Sequence, residues 1–291
     1  MTHPLIETLL AGAPVITDGG WGTQMQARGL PIGGCPDPWN LTHADLVQQV
    51  PSEYVDAGSQ IVLSNTFRAN RIALADYGLA DQAAEIARAG AEISRRAAGD
   101  RAHVFASIGP SGKMLMAGDI DTDDLLDAFR EQAEALAAGG ADGLVVETMA
   151  ELEEALLAIR AAKATGLPVV ACMVFDSGAD LDRTMMGVTP EQAAQALTAA
   201  GADVVGANCG QGIAGYIQIC RRMRTATELP IWIKANAGLP EMVDGQVVYK
   251  TSAAEFASQA PALVAAGAQF IGGCCGTSPE FIRALCQELH G

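Results

Sequence analysis

The chain has 291 residues, 49% of them hydrophobic, and sets 34 acidic side chains against 18 basic ones for a formal net charge of −16. It contains no basic run, which speaks against nucleic acid or an anionic membrane surface as a partner, since both are held by Lys and Arg. No stretch approaches the roughly 20 apolar residues of a membrane span. The opening MTHPLIETLLAGAP also lacks the basic start and apolar run of a secretory signal, so a cytoplasmic protein is expected.

Eight short apolar runs follow one another along the chain. They are Val15–Asp18, Ile61–Phe67, Val104–Gly109, Leu144–Thr148, Val169–Phe175, Val204–Cys209, Ile231–Asn236 and Phe270–Cys275. Continuous rather than alternating runs suit parallel strands covered on both faces. The stretches between them have helical spacing. In LLDAFREQAEALAAGG the side chains Leu125, Leu126, Phe129, Ala133, Leu136 and Ala137 form one stripe. Asp123 or Thr122 is expected to cap that helix and Gly139-Gly140 to end it. Thr189-Pro190-Glu191 opens the next helix with a cap and a first-turn proline. AGGADGLVVE, AAGADVVGAN and AAGAQFIGG repeat one theme of helix, glycine turn and strand.

Eight such units predict a (β/α)8 TIM barrel in the α/β class, as one domain over residues 1–291, although an open doubly wound sheet shares the local grammar. The polar and glycine residues cluster where the runs finish: Asp18-Gly19-Gly20, Asn65-Thr66, Gly109-Pro110, Glu147-Thr148, Asp176-Ser177-Gly178, Asn208-Cys209, Asn236-Ala237-Gly238 and Cys274-Cys275. This favours the barrel, since a closed barrel brings all eight of these ends to one mouth, where such enzymes place their sites.

The seven cysteines are Cys35, Cys172, Cys209, Cys220, Cys274, Cys275 and Cys286. An odd number spread over a long chain points to metal binding or catalysis rather than a disulfide framework. Neighbouring Cα atoms lie about 3.8 Å apart, below the disulfide range of roughly 4.4–6.8 Å, so Cys274 and Cys275 need another partner. Cys209 ends the sixth run, and in a barrel it converges with them. Three thiolates suit Zn2+ and leave a fourth position for substrate. The competing reading is cysteine as a small buried hydrophobe, which is expected for Cys172, Cys220 and Cys286; Cys35, in a Pro/Gly loop, is expected to be a surface thiol. Asn40-Leu41-Thr42 fits a glycosylation sequon that has no meaning without export.

GANCG (Gly206–Gly210) and GGCCGTSP (Gly272–Pro279) resemble the two zinc motifs of the homocysteine S-methyltransferase family. DGGWGT (Asp18–Thr23), SNTF (Ser64–Phe67), VVET (Val145–Thr148) and KANAGLP (Lys234–Pro240) look like its signature segments in the right order. WNLTHADLV and SNTFRANRIAL are most similar to the homocysteine-binding module of cobalamin-dependent methionine synthase. The resemblance covers essentially the whole chain. It implies a (β/α)8 barrel, Zn2+ on Cys209, Cys274 and Cys275, and methyl transfer to the thiol of homocysteine to give methionine.

Within that frame Glu147 is the candidate to hold the substrate ammonium, its alternative being a structural ion pair. Asp18, Gly19 and Gly20 offer a carboxylate and backbone N–H groups to the amino-acid end, or else form a plain turn, and Gly22 and Thr23 extend that loop. Asn208 and Asn236 stand near the metal or satisfy backbone at strand ends. Lys234, inside an apolar strand, is conspicuous but takes no role. The ten methionines are read as core filling.

The methyl donor is open. S-methylmethionine, dimethylsulfoniopropionate or betaine could bind as free small molecules, or a separate corrinoid protein could bring methylcobalamin. The betaine-using branch has an aromatic residue directly after the glutamate, where this chain has Thr148; Trp21, Phe67 and Tyr77 are the aromatic residues that could face a cation. His3, His43, His103 and His290 lie in no D-x-H-x-x-G cobalamin motif, so a corrinoid is expected to come from outside the chain. Three rivals remain: a zinc hydrolase, which the lack of a strand-end histidine disfavours; a methyltransferase for another thiol; and a zinc-thiolate subunit of a corrinoid complex that is inactive alone.

Overall fold

A computed structural model of the chain describes residues 3–243 and 246–291. Eight parallel strands form its centre: β1 (Val15–Ile16), β2 (Ile61–Val62), β3 (His103–Ile108), β4 (Gly143–Met149), β5 (Val169–Met173), β6 (Val204–Gly212), β7 (Ile231–Asn236) and, after a hairpin of β8 (Glu241–Val243) and β9 (Gln246–Val248), β10 (Ala268–Gly273). The ladder runs β1-β10-β7-β6-β5-β4-β3-β2. A parallel bridge from Thr17 to Ile61 joins its two ends, and Gln60 N donates to Ile16 O across the same seam. The sheet is therefore closed, and the expected (β/α)8 barrel is the fold. Each of the eight predicted runs overlaps one of these strands, although β1 and β2 keep only the first two residues of theirs, Val15–Ile16 and Ile61–Val62. The β8–β9 hairpin was not expected; Met242 pairs with Val247 in it, but three-residue strands carry too little pattern to be read.

The outer helices pack an apolar stripe on the sheet, and two details of their caps were tested. The helix Thr122–Ala138 is capped by Asp121, whose side chain accepts from Asp123 N, not by Asp123 or Thr122. The extended backbone of Asp121 is what a cap needs, and the two expected residues already lie in the first turn. Thr189 does cap Pro190–Ala199, through a reciprocal capping box with Gln192.

The barrel interior has layers. The helix Pro4–Leu10 closes the lower end with Ile6 and Leu9, which join Val15, Ile61, Phe105, Trp232 and Phe270 in one apolar cluster. Trp232 stacks on Phe270 at 5.5 Å and on Phe105 at 6.2 Å. Above this plug the interior turns polar, with Asp18, Ser107, Glu147 and Lys234 all buried.

A recurring contact ties the lower rim. The side chain of Gln60, leading into β2, accepts from Ile16 N of β1 at 2.9 Å. Asp142, leading into β4, accepts from Val104 N of β3 at 2.8 Å. Asp203, before β6, accepts from Val169 N of β5 at 2.8 Å, and Gln269 of β10 accepts from Ile231 N of β7 at 3.0 Å. Each follows the same Gly-Ser/Ala-Gln/Asp phrase in the sequence, so the repeated theme encodes a staple between every second pair of strands. Asp203 is buried and also pairs with Lys163 at 2.8 Å. Asp203→Ala would leave a strand N–H unpaired and is expected to cost about 1–3 kcal/mol; a lowered denaturation midpoint with unchanged metal content would show it.

Candidate metal and amino-acid site

Cys209 lies at a break in register of β6: Cys209 pairs with Ala235, but the next paired residue, Gly212, is opposite Asn236. Cys209 has φ 62° and Gly210 φ 64°, so the strand turns sharply there and directs the thiol to the mouth. Such bulges re-aim side chains beside functional sites, and a non-glycine residue in the left-handed region costs of order 1–3 kcal/mol. Cys274 and Cys275 follow β10 directly and are fixed by backbone. Cys274 N donates to Ala235 O at 2.7 Å, Ala237 N to Cys275 O at 2.9 Å, and Cys275 N to Asn236 Oδ1 at 3.1 Å. Gly276 then takes φ 80°, and a Cβ there would meet the Tyr249 ring at 2.2 Å.

These constraints bring the sulfurs of Cys209, Cys274 and Cys275 within 4.8 Å of one another, with Cys209 and Cys275 3.9 Å apart. A tetrahedral ion with sulfur ligands at about 2.3 Å requires sulfur–sulfur separations of about 3.8 Å. The donor set and its spacing therefore fit a metal ion of the zinc type. Hydrogen bonds among the sulfurs dominate the acidity of Cys209: that with Cys274 draws its pKa down, while that with Cys275 and burial push it up, to about 12 overall. A bound cation would reverse that balance.

Beneath the sulfurs lies a cavity of about 350 Å³, with Glu147, Ser107 and Lys234 at its polar end and Trp21, Pro36, Leu63 and Phe67 among its walls. Glu147 occupies a second break in register, in β4 between Val146 and Met149, and Thr148 beside it has φ 59°. Ser107 Oγ donates to one Glu147 oxygen and Asn208 Nδ2 to the other at 3.1 Å. Asn208 also accepts from Thr148 N at 2.7 Å, which pins the turn. Burial pushes the Glu147 carboxyl above its ordinary value, and the Lys234 charge and the Ser107 bond oppose it.

The other expected residues divide. Gly19 and Gly20 line the cavity; Asp18, Thr23, Asn208 and Asn236 do not. Asp18 is wholly buried and committed within the protein. One oxygen accepts from Lys234; the other accepts from Leu63 N and from Trp21 Nε1, each at 2.8 Å. Thr23 Oγ1 is buried without a partner. Cys172 and Cys220 are buried as expected, whereas Cys286 is half-buried. Cys35 is also half-buried rather than a surface thiol: it packs on the core and points at Asp37. Tyr77 bonds Arg68 outside the cavity, so of the three aromatic candidates only Trp21 and Phe67 line it.

Sequence reasoning missed Thr277 and Tyr54. Thr277 Oγ1 accepts from Gly20 N at 2.9 Å and donates to Cys274 O at 2.8 Å, and Tyr54 OH donates to Gly20 O at 2.9 Å. Together they tie the glycine loop after β1 to the cysteine turn after β10. The TS following GGCCG was a visible signal for the first; Tyr54, inside an outer helix, gave none. Of the nine exposed large apolar side chains among the described residues, Leu41 lies in the short helix Trp39–Thr42, Met242, Val247 and Val248 lie in the β8–β9 hairpin, and the other five stand on connections; all nine fall between the end of a barrel strand and the outer helix that follows it, on the mouth side.

The sequence pattern described as Homocysteine S-methyltransferase matches residues 15–289. The chain belongs to the homocysteine S-methyltransferase family. It is 30% identical to methionine synthase of Mycobacterium leprae over 98% of its own length, but spans only 25% of that relative. It is 29% identical to betaine–homocysteine S-methyltransferase 1 of Mus musculus, covering 98% of this chain and 74% of that one. The metallated form of the homocysteine methyltransferase MmuM from Escherichia coli superposes with a TM-score of 0.81 at 23% identity, over 97% of this chain and 99% of that one; that likeness is one of fold.

Two expectations follow. Thr277→Val removes the bond from Gly20 N that links the two loops and the bond to Cys274 O that closes the cysteine turn, and metal affinity should fall about 10–100-fold in a chelator competition while the circular dichroism stays native. Asp37, fully buried beside Cys35, has its pKa raised by burial to about 6. Its ionisation therefore opposes folding above that pH, and stability should rise as pH falls from 7 toward 5. Asp37→Asn should reduce this rise, leaving the part due to the buried Glu147 and Glu154 carboxyls, and gain on the order of 2–3 kcal/mol at neutral pH, as read by denaturant titration.

Proposed function

We propose that the protein moves a methyl group to the thiol of homocysteine to give methionine, with Zn2+ held by Cys209, Cys274 and Cys275. The observation that carries this reading is a cluster of three thiols within 4.8 Å of one another, lining a cavity whose only carboxylate among the described residues is Glu147. When bound, Zn2+ supplies the positive charge that lowers the pKa of a substrate thiol into the working range. Glu147 receives the substrate ammonium, and Ser107 and Asn208 keep its two oxygens in place. Gly19 and Gly20, tied down by Thr277 and Tyr54, present backbone to the amino-acid end. Trp21, Leu63 and Phe67 keep water from the reacting sulfur. The thiol proton goes to solvent. A sulfur–methyl bond forms as the methyl carbon leaves its donor, which keeps the electron pair.

A free onium donor is supported by the aromatic faces of Trp21 and Phe67 in the wall. A corrinoid carried on a separate protein is supported by the exposed apolar side chains gathered on the mouth side, which a small donor would not need. Zinc-loaded protein supplied with homocysteine and, separately, S-methylmethionine, dimethylsulfoniopropionate, betaine or methylcobalamin should form methionine with one of these donors, as detected by mass spectrometry. Turnover with a free onium fixes the small-donor class, whereas methylcobalamin alone, with a gain on adding a corrinoid protein, fixes the other. Methylation of other thiols but not homocysteine would overturn the acceptor. Cys275→Ala should lose zinc and turnover while remaining folded; full zinc retention would refute the ligand set.

A further inference from the structure

Lys234 is the one charged group of the cavity to which the reading above gives no task. It stands in the middle of β7, paired with Asn208 of β6 on one side and Gly272 of β10 on the other. A Cβ at residue 272 would lie 2.0 Å from Thr17 Oγ1 and 2.6 Å from Asp18 O. The bare glycine thus lets the end of β1 come close enough for Lys234 to reach across β10 to the Asp18 carboxylate. The lysine is 2% exposed and the aspartate 0%. Among the described residues lining the cavity, Lys234 is the only cation and Glu147 the only carboxylate. The hydrogen-bond partners of Glu147 are a hydroxyl and an amide, and no ion pair within 4 Å involves it among the described residues. Asp18, Lys234 and Glu147 together carry one net negative charge, and the uncompensated carboxylate is the one that faces the cavity.

We propose that Lys234 is a positioning residue that sets the charge of the amino-acid end: by neutralising Asp18 it leaves Glu147 as the single anion in play, and so selects an acceptor thiol that carries one ammonium. This rests on the reading of Glu147 as the ammonium holder. Without Lys234 the floor would hold two carboxylates pulling the ammonium in different directions. Without Asp18, the lysine would cancel Glu147. In so dry a site each such change acts at several times its strength in water.

The test is calorimetric binding of homocysteine and of 4-mercaptobutyrate, which lacks only the ammonium, to zinc-loaded protein. Asp18→Asn keeps an acceptor for Leu63 and Trp21 but leaves Lys234 uncompensated. It should weaken homocysteine about tenfold or more and 4-mercaptobutyrate by no more than about threefold. Asp18→Asn combined with Lys234→Met restores one net negative charge and should bring homocysteine back to within about threefold of wild type. That double variant removes the buried pair together, so it decides the matter even if Lys234→Met alone fails to fold. A double variant no better than Asp18→Asn, or equal losses for both thiols, would overturn the proposal. Glu147→Gln separates the two readings. If it leaves homocysteine affinity unchanged, the ammonium assignment falls first; if it weakens homocysteine but the double variant does not recover, only the role of Lys234 falls.

Discussion

β10 lies between β1 and β7, and its backbone ladder to both is what the chemistry at the mouth depends on. The ladder to β7 carries Cys274 and Cys275 to within reach of Cys209, a residue 65 positions earlier in the chain. The seam with β1 sets the glycine loop against the same turn, through Thr277 and Gly20. Two adjacent cysteines cannot satisfy each other, and neither can find Cys209 from local structure. The third sulfur arrives because β6, β7 and β10 lie side by side in the parallel sheet, whose two ends meet where Thr17 bridges Ile61 and Gln60 N donates to Ile16 O.

Of the three breaks in register in the barrel ladder, two lie where the site needs them, and the third is at the start of β10. Glu147 and Cys209 both sit where a strand slips against its neighbour, and each of those two breaks contains a non-glycine residue with positive φ, Thr148 and Cys209 itself. Regular strands would send alternate side chains inward and outward; a slip lets a residue at the strand end point up and over the mouth. Asn208 connects the two breaks, holding Glu147 and the amide of Thr148 with one side chain. The sulfur cluster and the carboxylate are therefore not independent features, and a change at residue 208 would disturb both.

Much of this was legible in the chain. Continuous Val- and Ile-rich runs with glycine turns specify parallel strands, and the polar residues at their ends mark the mouth, because strands covered on both faces are largely apolar along their length. The three cysteines were legible for the same reason. Legibility ended where partners are set by closure rather than by neighbours. Asp18 reads as an open carboxylate in DGGWGT, yet it is satisfied by Trp21 of the same segment and by Leu63 and Lys234 from distant parts of the sequence. The lysine that looked out of place in an apolar strand and the aspartate that looked free are two halves of one interaction. Thr277 and Tyr54 act through a hydroxyl each, and a lone hydroxyl has no pattern to betray it.

The four staples on the lower rim divide the barrel in another way. Each joins a barrel strand to the barrel strand that follows it in the chain, β1 to β2, β3 to β4, β5 to β6 and β7 to β10, through a side chain introduced by the same short phrase. The barrel is thus a ring of four like quarters, each a pair of strands stitched at its base, and a quarter differs from its neighbours chiefly in what it carries at the top. The base can repeat because it has only to hold, and the upper ends can diverge because they are not needed for holding. An ancestor that copied one stitched pair four times would have arrived with its foundations finished and its summit blank.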